Sequence, residues 1–219
     1  VSLSEIPDTT RPRLLSATVN LGTGVVVVTG SEFIDATPST NVDPSAMTLV
    51  QDTEVTTNAV NLAGATVTSV DGYAVTLTLS EGQRVAALGI SATPGGDDEP
   101  MRLDCQAGAV RDVSANPSLE SNDLPVAETA DTIKPTVLSA NLDFNNRILV
   151  IECSETISLV GISEKIGTAP PSLVDQTLLV LANQLGVHDN ADTHVAVSGA
   201  TLINTADQPK ITLQLTEAQ

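Results

Sequence analysis

The sequence predicts an all-β chain of tandem antiparallel β-sandwiches, each with a short helix and joined to the next by a short linker. Three observations predict this. One passage occurs twice: residues 8–35 return as residues 131–158, displaced by 123 positions without a gap. Within each copy, short runs alternate apolar and polar residues and are separated by turn residues. Aromatic residues make up only 1% of the chain, so the cores must be built from Val, Leu, Ile and Ala.

Each copy opens on a linker, Asp8-Thr9-Thr10-Arg11-Pro12 in the first and Asp131-Thr132-Ile133-Lys134-Pro135 in the second. Proline fixes φ and keeps the residue before it extended. A first strand is expected over Leu14–Leu21, where Leu15, Ala17 and Val19 alternate with Ser16, Thr18 and Asn20. The turn Asn20–Gly24 leads to a second strand, Val25–Thr29, and the two form a hairpin. Their counterparts are the turn Asp143–Asn146 and the strand Ile148–Glu152. A short strand is expected near Met47–Gln51, then strands around Val60–Val70 and Tyr73–Leu79, with Asp71-Gly72 as a hairpin turn. In the second copy, Gly199-Ala200-Thr201 answers Gly64-Ala65-Thr66, and Thr212–Leu215 answers Thr76–Leu79. The connection before Gly199 is 12 residues longer than its counterpart before Gly64, which predicts enlarged surface loops in the second copy.

Ser80-Glu81-Gly82-Gln83 reads as a capping box starting a short helix that stops at Gly89, and Thr216-Glu217-Ala218-Gln219 repeats it. Strands near Met101–Cys105 and Leu124–Glu128 complete the first copy. The domains are therefore residues 8–130 and 131–219, the second incomplete at its C-terminus, with residues 1–7 as the tail of a preceding repeat or a linker. A start at Val1 and an end inside the second copy are expected of a fragment of a longer array.

The recurring Asp-Thr-x-x-Pro-x-x-x-Ser-Ala, the hairpin, the following Ser-Glu-x-Ile and the segment Gly108–Pro117 resemble the Ig-like tandem repeats of very large extracellular surface proteins. Such repeats occur in bacterial adhesins, in surface proteins associated with swimming in marine cyanobacteria, and in long repeat proteins of marine algae. The resemblance covers nearly the whole chain and implies tandem Ig-like sandwiches at the cell surface, with no catalytic residues. It implies a structural role as stalk, spacer or assembly unit. The expected partners are neighbouring repeats of the same protein, or other copies in a filament or surface layer.

Composition narrows the function classes. The net charge is −18, from 27 acidic and 9 basic residues. Such a surface repels phosphate backbones and anionic membranes, which excludes nucleic-acid binding. Three aromatics and no Trp argue against a carbohydrate platform. Alternation places Cys105 with Met101 and Leu103, and Cys153 with Leu149 and Ile151, so each cysteine is expected in a core. No Ser/His/Asp or Cys/His arrangement suggests an enzyme. His188-Asp189-Asn190-Ala191-Asp192-Thr193-His194 carries ligand-type residues, but its spacing fits neither a helical zinc motif nor a twelve-residue calcium loop. A solvated loop is its default reading, and a ligand-binding module in these enlarged loops is a rival one.

Calcium at the domain junctions is the better candidate chemistry. Strand one leaves the linker end and strand two returns to it, which brings Glu32 towards Asp8 and Glu155 towards Asp131. The turn before the last strand should bring Asp112 and Asn116 towards Asp8 and Glu32, and the strand that ends at Glu128 runs into the linker at Asp131. Alternation puts Glu32 on the inward face with Val26 and Val28, where a carboxylate needs a partner. Calcium takes six to eight oxygens, which Asp8, Glu32, Asp112, Asn116, Glu128, Asp131 and Glu155 could help to supply. The simpler alternative is local: Glu32 accepts backbone N–H groups, and Asp112 forms an Asx turn over Ser114.

Overall fold

The computed structural model describes residues 3–51, 59–159, 179–182, 194–204 and 206–217. It divides into two compact units, Val1–Ile133 and Lys134–Gln219.

Unit 1 holds strands β1 (Leu14–Asn20), β2 (Val25–Ile34), β3 (Met47–Val50), β4 (Val60–Asn61), β5 (Thr66–Val67) and β6 (Gly72–Thr78). Helix α1 (Glu81–Gly89) and strands β7 (Arg102–Cys105) and β8 (Ser121–Thr129) follow. Most expected strands are present with shifted ends. The second strand runs on to Ile34, and the single strand expected over residues 60–70 is two short ones, β4 and β5. The capping box forms in full: Ser80 Oγ accepts from the Gln83 N–H, and Gln83 Oε1 accepts from the Ser80 N–H.

The architecture is not the expected pair of tandem Ig-like sandwiches. A sandwich requires two separate sheets packed face to face. In unit 1 the strands form one continuous sheet in the order β4-β3-β7-β8-β1-β2-β6-β5, strongly curled into a half-barrel. The joint is β1, which bonds β2 on one edge and β8 on the other. The β1–β8 pairing is parallel, with Ala17 opposite Val126 and Asn20 opposite Thr129, so the sheet is mixed and not antiparallel. Alternation reveals which face of a strand is buried, and both arrangements bury the same face. The edge partners, which distinguish them, leave no periodic trace. Curling brings the inner face around a single core that includes Val19, Leu21, Val26, Val28, Leu49, Leu77, Met101 and Leu103, all buried.

Unit 2 contains β9 (Val137–Asp143), β10 (Ile148–Ile157), β11 (Val180–Ala182), β12 (His194–Ala196), β13 (Thr201–Leu202) and β14 (Gln208–Gln214). Four of these form an antiparallel sheet in the order β13-β14-β10-β9, and β11 pairs with β12. This is also not a sandwich. It is the half of the unit 1 sheet formed by β5, β6, β2 and β1, rebuilt in the same register. Asn20 faces Val25 as Asp143 faces Ile148, and Val25 faces Thr78 as Ile148 faces Gln214. Even the bulge recurs: Ser31 N–H donates to Arg13 O and its Oγ accepts from Arg13 N–H, as Ser154 does with Thr136. Leu149, Ile151, Cys153, Leu213 and Leu215 form its core. Ala218 and Gln219 of the second capping box lie outside the described residues.

Candidate cation site

Unit 1 brings three of the sequence-predicted carboxylates together. One oxygen each from Asp8, Glu32 and Asp112 lies within 4.8 Å of the other two. Each arrives by a different route. Asp8 sits in the leading segment, where its Oδ1 accepts from the Thr10 N–H at 2.9 Å. Arg11 pins that segment to the sheet end by donating to Pro117 O at 2.8 Å and Ser118 O at 2.9 Å. Leu119 N–H then donates to Pro12 O.

Glu32 stands near the end of β2 in the inward phase, two residues from the buried Ile34. Asp112 is brought beside it by a bridge between Ile34 and Asp112 and by the Asp35 N–H donating to Arg111 O.

Asp112 is only 1% exposed and organises its own turn. Its Oδ1 accepts from the N–H of Ser114 at 2.8 Å and of Asn116 at 2.7 Å, and its Oδ2 accepts from Asn116 Nδ2. Asn116 Nδ2 also donates to Asp8 O at 3.2 Å, so the amide ties the turn to the leading segment. The expected Asx turn over Ser114 is therefore present. The other local expectation fails for Glu32. Its Oε1 is buried without a hydrogen-bond partner. Burial, with Asp112 and Asp8 close by, raises the Glu32 pKa above its ordinary value. Among the described residues no Lys or Arg forms an ion pair with any of the three. Three acidic groups thus converge where one oxygen has neither solvent nor a donor. That is chemistry a hard cation satisfies, with further oxygens from water or backbone.

The other sequence-predicted ligands have partners or places of their own. Glu128 accepts the N–H groups of Ala92 at 2.9 Å and Met101 at 2.6 Å. Asp131 accepts from the Ile133 N–H with Oδ1 and from Arg84 with Oδ2 at 2.7 Å. Glu155 is half-buried in unit 2 at the position that repeats Glu32. Asn116 joins the cluster as a hydrogen-bond donor. Of the histidine segment, residues 188–193 lie outside the described residues and His194 opens β12.

Sequence reasoning missed Arg84. It lies on α1 with its side chain 8% exposed and holds three parts of unit 1 at once. It pairs with Glu81 through two bonds, donates to Leu21 O at 2.8 Å and reaches Asp131. Glu81 raises its pKa most, burial opposes this, and Asp131 adds to the rise. The only signal in the sequence was the Glu81/Arg84 spacing, which is common on solvated helices. Two of the three aromatics, Phe33 and Tyr73, meet edge to face at 5.6 Å on the outer side of β2 and β6. No protein-family model, curated protein or solved structure matches the chain.

Proposed function

We propose that this chain is a structural repeat module of a large extracellular cell-surface or filament protein, acting as stalk, spacer or assembly unit. The observation that carries this reading is the repetition itself. The same linker, hairpin, bulge and strand register occur in both units, down to the paired Ser31/Arg13 and Ser154/Thr136 bonds. Repetition of a framework, with no repeated catalytic set, is what a length-giving array requires. The clamp of Arg84 on Asp131 adds to it. The chain leaving unit 1 is tied to the β1–β2 turn and to α1, so pull on the linker passes into the sheet. The test is antibody labelling of intact cells of the source organism. Surface or filament labelling is expected, and labelling only after permeabilisation overturns the reading.

A second reading is favoured by one observation, the partnerless buried oxygen of Glu32 beside Asp8 and Asp112. In this reading the array is calcium-dependent, and the ion fastens the leading segment to the sheet end. Calcium should raise the melting temperature of the protein, and Glu32→Gln should remove most of that rise. An equal rise in both proteins would place the ion elsewhere.

A further inference from the structure

Phe33 and Tyr73 stand outside the core and outside the repeated framework. In a chain with three aromatics, these two rings are 41% and 63% exposed. Strand pairing sets their neighbours. Ile34 pairs with Gly72 on one side and with Asp112 on the other. Ile34 and Asp112 are both buried, so Phe33 and Val113, each adjacent in the chain, turn outwards. Val113 is 63% exposed. Tyr73, Phe33 and Val113 thus form a lateral row across three neighbouring segments, with the two rings meeting edge to face. In unit 2 the shared register puts Thr156 in place of Phe33 and Pro209 in place of Tyr73. A contact common to every repeat would need the rings in both units, so the row is a property of unit 1 itself. The acid beside it belongs to the framework: Asp71 receives the Ala36 N–H as Asp207 receives that of Leu159.

We propose that this row is a docking surface for a basic segment of a partner protein, one that carries Arg or Lys between apolar residues. Charge complementarity selects that partner. Asp35 lies two residues beyond Phe33, and Asp71 lies two residues before Tyr73. These two carboxylates outnumber the cation Arg111, whose carbonyl receives the Asp35 N–H. The chain as a whole carries −18, which draws cationic partners and repels anionic ones. A guanidinium or ammonium group settles on an aromatic face, and a neighbouring carboxylate receives its N–H groups. Apolar side chains on either side of it would cover Val113 and the remaining ring surface. A sugar ring fits less well, because rings inclined at 84° offer no flat platform. A second copy of this chain also fits less well, since it has 9 basic residues against 27 acidic ones. The proposal goes beyond the structural role and stands or falls separately from it.

The test uses the whole chain and a short synthetic peptide of alternating Val and Arg. Binding is read by amide chemical shifts in about 0.15 M salt, where general charge attraction is screened. Shifts should move most at Phe33, Tyr73 and Val113. Phe33→Thr installs the residue type that unit 2 carries at this position, so the variant should fold. It should weaken binding by about tenfold, because a few aromatic anchors dominate such contacts. A peptide of alternating Val and Glu should leave the shifts unmoved. No movement at about 1 mM of the Val–Arg peptide overturns the proposal. So does equal affinity for the Phe33→Thr protein, or movement centred elsewhere on the acidic surface. Equal or greater movement of these amides with the Val–Glu peptide, or with a neutral oligosaccharide, overturns it in favour of an apolar partner or a glycan. Shifts at these residues when the protein alone is concentrated overturn it by assigning the row to a second copy.

Discussion

At the scale of single residues, Glu32 is the group whose environment does most to define the candidate site. One of its oxygens is buried and without a donor, and two other carboxylates stand within reach. A carboxyl whose pKa is raised in the folded state takes up its proton before the unfolded chain does. Between the ordinary value of 4.5 and the raised folded value, the native state therefore binds more protons than the unfolded one. Stability of the ion-free protein should rise as pH falls through that window, and fall as pH climbs through it. Glu32→Gln should flatten this dependence and raise stability at pH 7, measured by urea unfolding at a series of pH values. A steeper dependence in the variant would refute the assignment. With calcium bound the sign reverses, because protons and the ion compete for the same oxygens. The position of Glu32 on the inward face was legible from alternation with Val26 and Val28. Its lack of a donor was not, because that depends on which backbone groups the curled sheet brings near.

At the scale of elements, the Arg84 clamp shows how a helix with little apolar surface is held. Of its residues only Arg84 and Ala87 are buried. The helix is positioned by its capping box and by one guanidinium that links it to the β1–β2 turn and the departing chain. Asp131→Asn keeps the shape and the Oδ1 acceptor but turns a donor towards Arg84. It should cost about 2 kcal/mol, because a charge-assisted bond is lost at a largely buried cation. Glu81→Gln should cost less, since Glu81 is 37% exposed and such pairs contribute about 0–1 kcal/mol. Urea unfolding of the two variants checks the order, and a larger loss for Glu81→Gln would contradict it. Of the helix, its start and its stop were legible in Ser80, Gln83 and Gly89. The partner of Arg84 was not, because Asp131 is 47 residues away and reads as a linker residue.

At the scale of the whole molecule, the two units carry cores of different extent. That of unit 1 closes inside the half-barrel, and that of unit 2 rests on the half-sheet and its described neighbours. Each core contains one cysteine. Cys105 is fully buried with its thiol pushed up to about 12, and Cys153 is 8% exposed with its thiol also raised. Burial in low dielectric is the main cause for both. Native protein should therefore react slowly with thiol reagents at both positions. In rising urea, pulsed alkylation should mark Cys153 before Cys105, because Cys153 is the less deeply buried of the two. Simultaneous labelling would show that the units unfold as one.

The sequence by itself determined the repeat, the strand and turn order, the capped helix, both cysteine environments and the convergence of Asp8, Glu32 and Asp112. All of these follow from local signals: period-two alternation, turn residues, and the return of β2 to the linker end. Only the tertiary structure decided that β8 lies parallel beside β1 and turns two expected sheets into one curled sheet. It also decided that Glu128 and Asp131 serve backbone amides and Arg84, away from the three clustered carboxylates. The physical reason is common to both. Strand edges and buried charges choose partners by distance in space, and that distance arises only when the sheet closes on its core.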